Sequence, residues 1–292
     1  MKFKGIMPAT VTPLTADERI NVGVLEQLLE SQLAEGADGF YVGGATGEGL
    51  ALKTEERFVL AEESVRIIGH RKPIIFQVAA MDFRDAIEIA KCAERAGADA
   101  ISATPPIFFK YDEDDVYNYY RELAGAVNIP MMVYYSPAAA FPIDARFAAR
   151  LFEIDNVSAI KWTSPNYYEM VKLKDMTRGE MNIINGPDEM LLMGLSAGAD
   201  GGIGTTYNLM LPHYKKIYES FQTGNIEQAQ REQTYVDRVI AALLRYKTIP
   251  ATKAALERIG FAVGNASFPM KRYTEAQKDE IIASLRAAGF DK

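Results

Sequence analysis

Two hydrophobic rhythms take turns along the chain. Short, continuously apolar runs lie near residues 5–12, 39–43, 73–79, 100–104, 130–135, 157–163, 181–185 and 200–205. Between them, apolar residues return every three or four positions, as over 22–35, 53–69, 84–96 and 114–126. The first rhythm predicts buried strands and the second amphipathic helices. Strands alternating with helices predict a parallel sheet, and eight such units close into a barrel. Continuous rather than alternating strands fit a sheet covered outside by helices and filled inside by side chains. The expected fold class is therefore α/β, a (β/α)8 TIM barrel. After Thr206 only the helical rhythm continues, over 211–223, 226–244, 250–259 and 275–288. That is more helix than closing a barrel needs. Residues 1–225 are expected to form the barrel, and 226–292 a C-terminal helical extension packed on it as one structural unit.

A phrase repeats at the joints: Glu35-Gly36-Ala37-Asp38-Gly39, Ala96-Gly97-Ala98-Asp99-Ala100 and Ala197-Gly198-Ala199-Asp200-Gly201. Each follows a helical pattern and precedes an apolar run. Glycine supplies the left-handed residue that ends the helix, and a short turn feeds the next strand.

Composition narrows the function classes. The chain has 292 residues, 48% of them hydrophobic, and a net charge of -7, so it has apolar material for a large core and no basic footprint for nucleic acid or an anionic membrane. Its start carries no apolar signal core and no stretch is long enough to span a bilayer. Cys92 is the only cysteine, which excludes an intrachain disulfide and fits a cytoplasmic location. The two histidines, His70 and His213, have no second ligand at metal spacing. No metal site, cofactor motif or serine-histidine triad is expected.

In a barrel of this kind the chemistry gathers where strands end at their C-terminal side. The sixth run, Val157-Ser158-Ala159-Ile160-Lys161-Trp162-Thr163, places an amine in apolar surroundings. Charging it there is costly, so its pKa falls and it becomes a candidate Schiff-base nucleophile, although a lysine ending a strand is more often solvated at the rim. The second run enters Gly43-Gly44-Ala45-Thr46-Gly47-Glu48-Gly49, where backbone N–H groups and the Thr46 hydroxyl can converge on an anion. The fourth ends in the apolar Ile107-Phe108-Phe109, suited to burial or a subunit contact. The fifth ends in Tyr134-Tyr135; Tyr134 is either a core residue or a proton donor and acceptor. The seventh ends in Asn185-Gly186-Pro187-Asp188-Glu189, whose carboxylates can bind hydroxyls or cap the next helix. The eighth offers Thr205 and Thr206 for a phosphate or a polyol.

Gly44-Ala45-Thr46-Gly47-Glu48, Tyr134 followed by Pro137, and Ile160-Lys161 together resemble the dihydrodipicolinate synthase/N-acetylneuraminate lyase superfamily, over nearly the whole chain. The resemblance implies a class I aldolase without cofactor. Lys161 would form an imine with pyruvate or a 2-oxo sugar acid. Tyr134 would move the proton of the C4 hydroxyl. Ala45 and Thr46 would hold the 2-oxo acid carboxylate. Two stretches, 185–189 and 201–208, look most like the N-acetylneuraminate lyase branch, which implies that Thr163, Gly186, Asp188, Glu189 and Thr205 bind the sugar's hydroxyl chain. In the dihydrodipicolinate synthase branch an arginine soon after the tyrosine binds a second carboxylate. Here that place falls in Ala138-Ala139-Ala140, which disfavours lysine biosynthesis.

Two departures stand out. The family's usual hydroxyl is missing at Ala45, and the loop that usually lends a tyrosine from a neighbouring subunit reads Ile107-Phe108-Phe109. Tyr134 would then work with water, with the substrate carboxylate or with another hydroxyl such as Tyr111. Trp162 is expected to crowd Lys161 and reshape the pocket. The alternatives are an aldolase or dehydratase for a 2-keto-3-deoxy sugar acid such as 2-keto-3-deoxygluconate, a hydratase-aldolase for an aromatic pyruvate derivative, and a barrel that binds 2-oxo acids without turnover. A homo-oligomer, a tetramer or dimer, is expected.

Overall fold

The computed structural model describes residues 2–137 and 141–292. Eight strands alternate with helices along the chain: β1 (Gly5–Pro8), α1 (Val22–Ala34), β2 (Phe40–Val42), α2 (Thr54–Ile68), β3 (Ile74–Gln77), α3 (Phe83–Ala96), β4 (Ala100–Ala103), α4 (Glu113–Gly125), β5 (Met131–Tyr135), α5 (Ala145–Phe152), β6 (Val157–Trp162), α6 (Tyr167–Met176), β7 (Asn182–Asn185), α7 (Leu191–Ser196), β8 (Gly201–Gly204) and α8 (Tyr207–Gln222). Three further helices follow: α9 (Ile226–Leu243), α10 (Thr248–Arg258) and α11 (Glu275–Ala287). All seven strand pairings are parallel, in the order β1-β8-β7-β6-β5-β4-β3-β2. The ring closes where Ala9 bridges Tyr41, with Thr10 N donating to Tyr41 O at 3.0 Å. This is the (β/α)8 barrel that the hydrophobic rhythms predict. The strands are shorter than the apolar runs, because the runs also take in loop residues on one side of the strand or on both.

The repeated joint does more than end a helix. Gly36, Gly97 and Gly198 take φ of 91°, 102° and 98°, the left-handed conformation that glycine adopts without steric cost. The aspartate two residues later then turns its carboxylate onto a neighbouring strand. Asp38 accepts from Ile6 N at 2.8 Å, Asp99 from Ile74 N at 2.8 Å and Asp200 from Ile183 N at 3.0 Å. These N–H groups lie at the lower rim of the sheet and would otherwise lack partners. Lys215 on α8 and Lys174 on α6 neutralise Asp38 and Asp200 at 2.8 and 3.0 Å.

Side chains alternate between two apolar compartments, as the period of two along a strand requires. Inside the barrel lie Met7, Tyr41, Ile75, Met132, Tyr134, Ala159, Ile184 and Ile203. Between sheet and helices lie Ile6, Val42, Phe76, Ile101, Val133, Ile160, Trp162 and Ile183. Trp162 is therefore not a neighbour of Lys161 in the pocket, contrary to expectation. It points the opposite way, 1% exposed, with its ring 4.9 Å from that of Tyr135. Adjacent residues on a strand cannot share a face.

Buried polar contacts tie the helices beyond α8 to the barrel's upper rim. On α9, buried Gln233 accepts from Leu192 N at 3.0 Å and donates to Asp188 O at 3.2 Å. On α10, buried Lys253 meets Glu48 at 2.6 Å. The described helices include none long and apolar enough to cross a membrane.

Candidate active site

Lys161 is in register with Tyr134 on β5 and Ile184 on β7, so its side chain enters the barrel interior with theirs. It is 5% exposed. Its Nζ lies 4.5 Å from the Tyr41 ring centroid and 4.4 Å from that of Tyr134. Burial pushes its pKa down to about 8, and the charge of Asp188 pulls it partly back. Two aromatic faces solvate an ammonium far less well than water does, so far more of this amine is the free base near neutral pH than of an ordinary lysine.

Tyr134 is buried and meets Tyr41 edge to face, with ring centroids 6.1 Å apart. Burial raises its pKa, the nearby Thr163 hydroxyl lowers it, and the Asp188 charge raises it again. Thr163 Oγ1 is buried and makes no hydrogen bond of full geometry, so it is free to turn to Tyr134. Gly186 packs against it so tightly that a Cβ at Gly186 would come within 1.9 Å of Thr163 Oγ1. The hydroxyl beside Tyr134 within the chain is thus Thr163 and not Tyr111. Tyr111 instead lines a separate hollow with Ala80, Met81 and Tyr119.

The glycine-rich loop after β2 is held by hydrogen bonds to its backbone carbonyls. Thr12 Oγ1 donates to Gly47 O at 2.6 Å, Glu48 N to Ala45 O at 3.0 Å and Gly49 N to Gly44 O at 3.1 Å. A Cβ on Gly49 would sit 1.9 Å from Gly43 O, so only glycine closes this turn. Thr46 is buried, and its hydroxyl shares a 2.7 Å hydrogen bond with that of Thr205, joining the loops after β2 and β8. Ala45 is exposed at the tip. With Thr104, Gln77, Tyr134 and Met270 it lines a hollow of about 250 Å³.

A second hollow of about 300 Å³ has Thr163 in its lining. Gly186, Asp188, Glu189, Thr205 and Thr206 form one wall, and Ile240, Leu243, Leu244 and Thr248 from α9 and α10 form the other. Asp188 is buried and Glu189 is exposed at the rim, so the two adjacent carboxylates have different surroundings. Burial lifts Asp188 to about pH 6 against two short hydrogen bonds that favour its carboxylate, from Thr206 N and Thr206 Oγ1, both 2.6 Å. Since Thr206 spends its proton on Asp188, Tyr214 must donate to Thr206 Oγ1, at 2.6 Å. A Cβ on Gly204 would strike Asp188 Oδ1 at 2.2 Å, which explains the glycine there.

Every candidate residue from the sequence, Lys161, Tyr134, Ala45, Thr46, Thr163, Gly186, Asp188, Glu189 and Thr205, therefore lies at the C-terminal mouth of the barrel. The stretch 138–140, where an arginine is lacking, lies outside the described residues. Sequence reasoning missed the walls supplied by α9 and α10, because hydrophobic periodicity does not say where an extension docks. It also missed Tyr41, whose position on a buried strand carries no chemical signal.

A barrel with a desolvated lysine at its mouth, a buried tyrosine beside it and an anion-sized glycine loop defines a class, the Schiff-base carbon–carbon lyases. Comparison with known proteins agrees. Residues 2–288 match the model of the dihydrodipicolinate synthetase family, and the chain belongs to that family. An N-acetylneuraminate lyase of Rhizobium meliloti (strain 1021) is 33% identical over 288 residues, 99% of this chain and 95% of the relative. The structure of Proteus mirabilis N-acetylneuraminate lyase superposes with a TM-score of 0.95 at 31% identity, over 100% of both chains. CdNal from Clostridium difficile, in complex with mannosamine, superposes with a TM-score of 0.92 at 28% identity, over 99% of this chain and 98% of the other.

Proposed function

We propose that the chain cleaves, and in reverse forms, a 2-oxo sugar acid through an imine on Lys161, as its N-acetylneuraminate lyase relatives suggest. The observation that carries the reading is the buried amine of Lys161, its pKa lowered to about 8, packed against Tyr134 at the barrel mouth. The neutral amine attacks C2 of the substrate and water leaves, giving a protonated imine. That imine accepts the C3–C4 bonding pair, so the bond breaks to an enamine and the aldehyde departs. Tyr134 takes the proton of the C4 hydroxyl as its own phenolic proton passes to the substrate carboxylate, with the Thr163 hydroxyl beside its oxygen. The amides and hydroxyl of Ala45 and Thr46 hold the 2-oxo acid carboxylate. Gly186, Asp188, Glu189 and Thr205 receive the hydroxyl chain. Returning the proton to the enamine gives a pyruvate imine, which water releases.

The second hollow supports an aldehyde without a carboxylate or phosphate. Among the described residues it is lined by Asp188 and Glu189 and by no arginine or lysine. A second anion there would face like charges, which costs affinity. An aromatic acceptor loses its motive, since Trp162 faces away and Phe108 and Phe109 are 80% and 62% exposed.

Incubation with pyruvate and borohydride tests the reading. The expected product is a stable adduct on Lys161, absent in Lys161→Ala. Equal labelling of the variant, or none of the native protein, refutes the imine. Cleavage rates compared across N-acetylneuraminate and 2-keto-3-deoxygluconate then separate the sugar acids.

A further inference from the structure

The buried cluster around Glu48 has no part in the chemistry above, yet it sits directly behind the loop that would hold the carboxylate. Glu48 follows Gly47 and takes φ 60°, a left-handed backbone that a side chain adopts only when something holds it there. Its carboxylate turns away from the mouth and into the extension. One oxygen meets Lys253 Nζ at 2.6 Å and the other accepts from Ser267 N at 2.5 Å. Lys253 Nζ also donates to Asn265 O at 3.0 Å. The two side chains are 0% and 1% exposed. A buried pair of this kind contributes little net stability against an apolar replacement, but removing one partner strands a charge. Its value therefore lies in geometry.

We propose that Lys253, on α10, is a positioning residue for the 2-oxo acid carboxylate. Its ammonium fixes Glu48, and Glu48 in turn fixes the left-handed end of the loop carrying the Ala45 and Thr46 amides. The extension then belongs to the binding site and is more than a brace on the barrel. The inference rests on the carboxylate-binding role proposed above for Ala45 and Thr46. It predicts a division of labour: losing the tether weakens capture of the 2-oxo acid while leaving the imine chemistry of Lys161 intact.

Borohydride trapping on Lys161, titrated with pyruvate, separates the two effects. In Lys253→Met, the half-saturating pyruvate concentration should rise about tenfold, the equivalent of ~1.4 kcal/mol. The extent of trapping at saturating pyruvate should stay within about threefold of native. The double variant Glu48→Gln/Lys253→Met, which buries no unpaired charge, should show the same rise and decides the matter if Lys253→Met does not fold. Lys253→Arg, which keeps the cation, should return half-saturation towards the native value. A purely structural role would lower the trapped fraction and the melting temperature without moving half-saturation, and that outcome overturns the proposal. Unchanged half-saturation in the double variant does the same. Failure of the native protein to trap pyruvate is a different result, and it removes the imine reading together with this one.

Discussion

At the scale of single residues, the site depends on two groups whose titration is displaced by burial. Lys161 loses its proton near pH 8 and must be neutral to attack, so the rate of imine formation should rise with pH and level off above about 8. The Asp188 charge holds that pKa up. Asp188→Asn should therefore move the rising limb to lower pH, as read in a pH–trapping profile; a shift to higher pH refutes the coupling. The same burial has a cost in stability. A free lysine keeps its proton to about pH 10.5, whereas folded Lys161 gives it up at about 8. Between those values the unfolded chain binds more protons, so stability should rise with pH. Below pH 8 the folded state carries a poorly solvated cation. Lys161→Met should accordingly abolish trapping and stabilise the fold by about 2 kcal/mol at pH 7. A melting temperature at or below native would count against the desolvation argument. Asp188 runs the opposite way: its folded value of about 6 lies above the ordinary 3.8, so it takes stability away as pH rises through that window.

At the scale of elements, the strand period decides which residues see substrate. Ala159 and Lys161 face inward and Ile160 and Trp162 outward, although all four lie in one apolar run. Trp162→Phe should then cost about 1–2 kcal/mol of stability through a partly emptied outer layer, with the ratio of cleavage rates between sugar acids unchanged. A changed ratio would place the indole closer to the pocket than its contact with Tyr135 allows. Much of this scale was legible beforehand. The glycine joints, the eight runs and Lys161 near a strand end could be read from spacing. The direction of Trp162 follows from the same alternation, but an unbroken apolar run hides the face of each residue. Helix α5 was hidden too, because eight residues are too few to display a helical period.

At the scale of the whole molecule, the extension and the barrel share buried polar contacts, namely Gln233 with the loop after β7 and Lys253 with the loop after β2. We expect them to unfold as one unit. Denaturant curves from the fluorescence of Trp162, the only tryptophan, should coincide with those from far-UV circular dichroism. Separate midpoints would divide the chain at the expected boundary near residue 225. Exposed Met81, Phe108 and Phe109 make an apolar surface beside the loop after β4, with Phe108 in a left-handed conformation at φ 81°. We propose that this surface is a contact between copies of the chain. Light scattering should give a mass above that of one chain, and Phe108→Glu should lower it; a monomeric native protein rejects the contact.

The order of strands along the chain and the position of the lysine near a strand end were determined by sequence alone, since periodicity, glycine placement and residue type act over a few neighbours. Which hydroxyl lies beside Tyr134, how Asp188 and Glu189 divide into a buried and an exposed carboxylate, and what walls the second hollow were decided only by tertiary structure. Those properties depend on groups far apart in the chain. Thr163 meets Gly186, Thr46 meets Thr205, and Glu48 meets Lys253 across 205 positions, because closing the barrel brings every strand end to one mouth and folds the extension over it.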